Sequence, residues 1–202
     1  MTTTSTPPEL GLRSHDATWN RARWETLPAD GNRYEIIDGV LYVSTAPRSF
    51  HQWIVQHLFL TLHRQIDETG VGLTFPSPIG VFMPGCDPVQ PDITVVRAED
   101  RGLFRGGRLE GVPALLIEVL SRSSASVDTV VKRRAYARAG LPEYWIVRPA
   151  TRDVLILSRP DEARGDYAAE QLAPHDGELR SPTLPVRLRV SELFAGAPDT
   201  TL

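Results

Sequence analysis

The segment from residue 114 to residue 120 constrains the fold more than any other part of the chain. It reads Ala-Leu-Leu-Ile-Glu-Val-Leu, which is an almost unbroken apolar run. Such runs are typical of central strands that are covered on both faces of a sheet. The chain must therefore place layers on both sides of one sheet, and its 202 residues are enough to bury a core of that kind.

Two helices are predicted beside this strand. Apolar residues at helical spacing begin after Ser49 and continue to Ile66, which predicts a long helix that packs on the sheet. A second helix is predicted from about 126 to 139, and Gly140 ends it. Because this helix directly follows the apolar strand, it can return its first turns to the end of that strand.

Other β-rich runs complete the predicted sheet. Asp38-Gly39 lies between two such runs and predicts a hairpin over 33–43, since a primed turn needs positive φ. Further strands are predicted at 93–96, 143–147 and 153–158. This order of elements predicts an α/β fold, with helices flanking a mixed β-sheet.

The ends and the composition of the chain set further expectations. Residues 1–15 are polar and contain a Pro-Pro pair, which predicts a disordered tail before one domain over 16–202. The single cysteine excludes an intrachain disulfide, and no segment resembles a signal peptide or a membrane span. We therefore expect a cytoplasmic protein. The net charge of −3 means that any phosphate contact must come from a local basic patch.

Glu118 is an anomaly inside the apolar run. Burying an unpaired carboxylate costs several kcal/mol, about the stability of many small domains. A metal ion or a lysine would compensate for this cost. The alternative is that Glu118 lies at the exit of the strand and faces water.

The chain contains one lysine, Lys132, among 22 basic residues. Arginine is always charged and planar, whereas a lysine amine is compact and its pKa shifts readily on burial. The lysine can therefore mark a place where arginine does not serve. The alternative is compositional drift that has left one surface lysine.

Asp92 is the third candidate, because it follows Pro91 at the start of a predicted strand. Alone, it is equally well explained as a turn residue. Together with Glu118 and Lys132 it forms a set that suits phosphodiester hydrolysis. Two carboxylates at neighbouring strand ends can hold Mg²⁺, and a nearby amine can orient water or offset charge on the phosphate.

A series of short motifs resembles the Uma2 family of restriction-type endonucleases, in the PD-(D/E)XK superfamily. Each motif is weak alone, but their order and spacing over about residues 30–195 are specific. The motifs are Tyr34-Glu-Ile-Ile-Asp-Gly39, Ser49-Phe-His51-Gln52, Gln90-Pro-Asp-Ile93, Glu118-Val-Leu-Ser121, Asp128 to Lys132, and Tyr136 to Val147.

The resemblance implies a restriction-endonuclease-like core in a nuclease-like domain over 16–202. It implies that Asp92 and Glu118 are paired metal ligands, and that Glu35 completes the acidic cluster. The superfamily usually has a lysine two residues after the second acid, where this chain has Leu120. The resemblance therefore implies a migrated lysine, Lys132, on the following helix.

Three residues are candidate substrate contacts. They are His51 in the first turn of its helix, Arg122 beside the strand end, and Tyr136 one turn after Lys132. Arg122 stands where the family usually has proline, and Arg148 where it usually has aspartate. Asp128 is interpreted as a helix cap rather than a ligand.

The sequence therefore predicts an Mg²⁺-dependent endonuclease that acts on DNA, with Mn²⁺ as a substitute and a homodimer as the expected assembly. The rival hypothesis is a nucleic-acid-binding or regulatory module that keeps the fold without turnover. A remote third hypothesis is a hydrolase that pairs Ser121 or Ser123 with Lys132. No oxyanion-hole motif supports the third hypothesis.

Overall fold

The computed structural model describes residues 12–201. The helices within them are α1 Arg21–Trp24, α2 Ser49–Leu62 and α3 Arg133–Arg138; π-helical segments His63–Asp67 and Val127–Lys132 adjoin α2 and α3, and 3-10 segments are Ala98–Leu103 and Val190–Leu193. The strands are β1 Leu12–Arg13, β2 Arg33–Ile37, β3 Val40–Ser44, β4 Gly72–Pro76, β5 Val81–Met83, β6 Cys86–Val89, β7 Ile93–Arg97, β8 Phe104–Arg105, β9 Arg108–Glu110, β10 Leu115–Val119, β11 Glu143–Arg148, β12 Asp153–Asp161, β13 Asp166–Ala173, β14 Glu178–Arg180 and β15 Arg187–Arg189.

A six-stranded mixed sheet forms the centre of the fold, in the order β13-β12-β11-β10-β7-β4. β10 and β11 are parallel and the other neighbours are antiparallel. The helical stretch from Val127 to Arg138 connects the two parallel strands, because a parallel pair needs a crossover. The prediction of an α/β fold with a mixed sheet is confirmed.

The central strand β10 is buried on both faces, as its apolar run predicts. Leu115, Ile117 and Val119 pack in a core that includes the buried face of α2. Leu116 packs on the opposite face, in a second core that includes α3. Side chains alternate along a strand, so Glu118 shares the α3 face with Leu116.

A second sheet lies on the α3 side of the molecule and contains β1-β3-β2-β6-β5-β9-β8 in that order. β2 and β3 form the predicted hairpin, and Asp38 and Gly39 have φ of 49° and 77° at its turn. This positive φ is what a primed turn requires. The hairpin places Glu35 on β2, beside the end of the central sheet.

The N-terminal prediction can be compared with the structure only in part. Of the predicted tail over residues 1–15, residues 1–11 lie outside the described residues. Leu12–Arg13 pairs with Tyr42 and Val43 of β3, so ordered pairing begins before residue 16. In the described part of the chain, no helix is both long enough and apolar enough to cross a membrane.

Candidate active site

A cavity of about 500 Å³ opens where the ends of β7 and β10 meet the hairpin, the start of α2 and the helical segment before α3. Serines 121, 123, 124 and 126 lie along one side of it. Its acidic, basic and histidine lining residues are Arg13, Arg33, Glu35, Arg48, His51, Asp92, Glu118, Arg122, Asp128 and Lys132.

Asp92 and Glu118 face each other across two antiparallel strands. The last paired residues of β7 and β10 are Ile93 and Ile117, so one further step of the register sets Asp92 opposite Glu118. The backbone N–H of Val119 donates to Asp92 Oδ2 at 2.8 Å. Both acidic residues are only 2% exposed. The sheet register therefore brings the two carboxylates to one end of the cavity.

Lys132 reaches the same place from the helical segment that follows β10. Its Nζ donates to Glu118 Oε1 at 2.8 Å and lies 2.9 Å from Glu35 Oε1. Asp128, one turn earlier, places Oδ1 3.3 Å from the same nitrogen. Three buried carboxylates thus share one ammonium group.

Burial and the neighbouring charges shift the pKa values of Glu118, Asp128 and Lys132. Burial raises the pKa of Glu118 well above its usual range; Lys132 opposes the rise, while the neighbouring acids add to it. The pKa of Asp128 is raised by burial in the same way. Burial would lower the pKa of Lys132, but the three carboxylates raise it well above its ordinary value. The amine is therefore charged at neutral pH.

Asp92 has a different set of partners. Its Oδ2 lies 3.0 Å from His51 Nε2, and its Oδ1 accepts from Arg33 at 3.2 Å. Burial alone would raise the pKa of Asp92. His51, Arg33 and the N–H of Val119 outweigh burial and lower this pKa to about 2. Asp92 is therefore ionised across the physiological range.

Glu35 is held at the cavity by the second sheet. Its Oε1 also accepts from the backbone N–H of Gln90 at 2.7 Å. Because Gln90 lies just before Asp92, this hydrogen bond ties the hairpin to the segment that carries Asp92. The position of the hairpin therefore sets the position of Glu35 relative to the ammonium group.

The Uma2 family model, described as "Putative restriction endonuclease", matches residues 21–191. The chain belongs to the Uma2 family. No curated protein matches the chain.

A solved structure supports the fold of this Uma2 chain. It is described as a putative nuclease belonging to DUF820 from Anabaena variabilis. The two proteins are 15% identical, and the match has a TM-score of 0.73 over 88% of this chain and 98% of the other. At this identity the likeness concerns the fold alone.

The candidate substrate contacts occupy three different environments. His51 lines the cavity and is held by Asp92, while its Nδ1 is buried without a hydrogen bond. Arg122 is exposed at the cavity rim. Tyr136 is fully buried, and its hydroxyl donates to Glu118 Oε1 at 3.3 Å. Because the Tyr136 ring has no exposed surface, its hydroxyl group positions Glu118 and does not contact a substrate.

The remote serine–lysine arrangement is not what the structure contains. Ser121 Oγ lies 3.1 Å from Ser123 Oγ and donates to Ser124 Oγ at 3.0 Å. Lys132 makes its hydrogen bond with Glu118 instead. The serine hydroxyl groups contact one another in the turn after β10, and the Lys132 amine pairs with the acidic side chains.

Two residues of the site were not predicted to belong to it. Asp128 was interpreted as a helix cap, but no side-chain cap is present at this helix start and Asp128 is buried beside the amine. Its spacing of four residues from Lys132 was the signal, since such residues are neighbours on a helix. No sequence pattern marks Arg33 as a site residue, because its contact with Asp92 depends on how the hairpin packs against the sheet.

The donor chemistry fits a divalent ion held mainly through water. Asp92 and Glu118 offer carboxylate oxygens, which Mg²⁺ prefers, and this ion usually keeps several waters. Within residues 12–201, however, no group of three or more His, Cys, Asp or Glu side chains is arranged as a metal cage. Of the four carboxylates that line the cavity, Asp92 and Glu118 are the candidate metal ligands.

Proposed function

We propose that this Uma2 protein is a Mg²⁺-dependent endonuclease that hydrolyses DNA phosphodiester bonds, with Mn²⁺ able to replace Mg²⁺. The observation that carries the proposal is the meeting of Asp92, Glu118 and Lys132 at one cavity. These residues come from three different elements. Buried charged side chains seldom collect in this way by chance, because each buried charge costs free energy unless it is compensated.

Asp92 and Glu118 would hold the metal ion through their carboxylate oxygens. When bound, the ion supplies charge stabilisation at the phosphate and a more acidic bound water. Asp92 suits this role because its pKa of about 2 keeps it ionised. His51 and Arg33 orient its two oxygens, so the carboxylate is preorganised.

Lys132 holds its proton on Nζ and directs it to Glu118 and Glu35. In this position the amine orients Glu118 and offsets negative charge that develops on the phosphate. Glu35 fixes the amine from the opposite side of the cavity. A preorganised cation in a water-poor site stabilises developing charge more strongly than a solvated one.

Arginine side chains at the cavity provide the local positive charge that DNA binding needs. Arg13 and Arg122 are exposed there, and Arg33 lies deeper. Arginine binds phosphate through a planar pair of donors. The net charge of −3 gives no overall attraction for a polyanion, so DNA binding depends on such local positive charge.

The test is a cleavage assay with purified protein, supercoiled and linear DNA, and Mg²⁺ or Mn²⁺. We expect nicking or cutting that Asp92→Ala abolishes. Asp176→Ala, which removes an exposed acid outside the cavity lining, serves as the matched control and should cut like the wild type. Equal cutting by the Asp92→Ala protein would assign the activity to a contaminant or to another site.

One observation favours a second candidate function, a non-catalytic nucleic-acid-binding module. Arg33 and His51 contact Asp92, and Lys132 contacts Glu118, so each acid has partners without a metal ion. Calorimetry separates the two functions. A nuclease should bind Mg²⁺ or Mn²⁺ and lose that binding in Glu118→Ala, whereas a binding module should hold DNA with salt-dependent affinity and cut nothing. The predicted homodimer stays a prediction, and ultracentrifugation would measure it.

A further inference from the structure

We infer that the cavity takes an unpaired nucleic-acid strand in preference to a continuous duplex. This inference rests on the proposed function and names the form of its substrate. It follows from the depth of the acids, from the size of the cavity, and from the apolar character of its walls.

The candidate catalytic groups lie at the inner end of the cavity. Asp92, Glu118 and Lys132 are each 2% exposed, and Glu35 is 6% exposed. All four line the cavity, so a phosphate can reach them only by entering it. The scissile phosphate must therefore leave the outer surface of its own molecule and pass between the cavity walls.

The size of the cavity matches a small part of a nucleic acid. Its volume is about 500 Å³. Pockets of roughly 300–1,000 Å³ enclose ligands of drug size. A duplex is stiff over roughly 150 base pairs, so its backbone does not fold into such a space. Drawing one nucleotide out of a duplex costs a few kcal/mol, about what unstacking and unpairing require, whereas an unpaired strand avoids this cost.

The walls carry apolar surface that a duplex would not use. Val43, Pro47, Val130 and Pro149 line the cavity, and Val130 is 48% exposed. Tyr42 also lines it and packs against the second core. Sites for single strands combine such surfaces, which contact the faces of bases, with basic groups along the backbone. In a duplex the base faces are stacked on one another and are not available.

The strand pairing of the hairpin aims Tyr42 towards the acids. Tyr42 is the partner of Glu35 across β2 and β3, so the two side chains share one face of the hairpin. Tyr34 is the partner of Val43 and does not line the cavity. The hairpin thus offers two tyrosines on adjacent strands, of which only Tyr42 lines the cavity.

The first experiment measures binding without cleavage. A fluorescent 20-nucleotide DNA and the blunt duplex of the same sequence are titrated with wild-type protein in EDTA, with fluorescence anisotropy as the readout. We expect the single strand to bind at least about tenfold more tightly. Equal or tighter duplex binding would overturn the inference, as would no binding of either DNA up to ~100 µM protein, the weak end of non-specific binding.

The second experiment tests base entry with matched variants. Tyr42→Ala should weaken single-strand binding about tenfold, the order expected for one lost base stack, and should leave duplex binding within twofold. Tyr34→Ala should change neither affinity. Tyr42→Leu is added in case Tyr42→Ala fails to fold, and it should retain partial affinity. Single-strand binding within twofold of wild type in the folded Tyr42 variants would contradict base entry.

A cleavage assay on the same DNAs distinguishes failure of this inference from failure of the proposed function. If the protein prefers the single strand but cuts nothing with Mg²⁺ or Mn²⁺, the proposed catalysis fails and the strand preference stands. If it cuts the duplex as fast as the single strand, the strand preference fails and the proposed catalysis stands.

Discussion

Lys132 Nζ lies 2.8 Å from Glu118 Oε1, and the two residues belong to consecutive elements of one strand–helix–strand unit. Both partners are buried, and each side chain is only 3% exposed. The pair explains how a carboxylate can occupy an apolar central strand. Removing either partner leaves the other almost wholly buried with one opposite charge fewer.

Replacing Lys132 by methionine should destabilise the protein. Glu35, Glu118 and Asp128 would remain buried without their cation, and breaking a buried pair costs about 3–5 kcal/mol. The folded-state pKa of Lys132 is raised, so its contribution is complete below its unfolded pKa and is lost only as pH rises through the folded value. The free energy of unfolding of Lys132→Met should therefore be lower than that of the wild type at pH 7, as measured by urea unfolding.

The matched control is Arg134→Met, which removes an exposed cation from the same helix. It should change the free energy of unfolding by less than about 0.5 kcal/mol, as is usual for surface positions. Similar values for the two variants would show that the Lys132 pair contributes no more than a surface charge.

Replacing Lys132 by arginine should reduce cleavage of DNA while the fold is retained. The guanidinium keeps the positive charge, but it is larger and planar and cannot place one compact ammonium group among three carboxylates. We expect a loss of about 100-fold, at the lower end of positioned acid–base effects. Cleavage rates report the loss and circular dichroism checks the fold. Near-normal cleavage by Lys132→Arg would show that any positive charge serves at this position.

Asp92 should make stability depend on pH in the acid range. Its pKa falls from 3.8 to about 2 on folding, so its contribution is present above pH 3.8 and is lost as pH falls through about 2. The shift corresponds to about 2 kcal/mol. Asp92→Asn cannot titrate, so urea unfolding between pH 5 and pH 2 should show a smaller loss in that variant. Parallel profiles for the two proteins would contradict the assignment.

Two buried glutamates should respond oppositely to replacement by glutamine. Glu118 has a raised pKa, so its favourable contribution is present below its unfolded pKa and is lost as pH rises through the folded value. Glutamine resembles the protonated acid. Glu118→Gln should therefore destabilise the protein less at pH 8 than Lys132→Met does, because Glu35 and Asp128 still pair with the Lys132 amine, and it should abolish cleavage.

Glu143→Gln is the counterpart on β11. Glu143 is completely buried and accepts hydrogen bonds from Trp145, Ser181 and Thr183, outside the cavity lining. Breaking these charge-assisted bonds should cost about 1–3 kcal/mol and leave cleavage unchanged in a folded protein. A stable, inactive Glu143→Gln protein would contradict this division between site and scaffold.

Much of the site could be predicted because its members are marked locally. Glu118 is conspicuous inside an apolar strand, and Lys132 is the lone lysine in the chain. The strand leads directly into the helix, so their approach follows from short-range geometry. The roles of Arg33 and Asp128 could not be assigned in the same way, because an arginine in a hairpin and an aspartate near a helix start have common structural explanations.

The sequence by itself determined the central strand, the hairpin and the two longer helical stretches, since hydrophobic spacing and turn chemistry act over a few residues. It also marked Glu118 as a carboxylate inside an apolar strand, with burial and a solvent-facing strand exit as the two alternatives. Only the tertiary structure decided how the charges are shared: Lys132 serves Glu35, Glu118 and Asp128, while Asp92 is held by Arg33 and His51. Those partners lie far apart along the chain. Sheet register and the docking of the hairpin select them, because both depend on how distant segments pack.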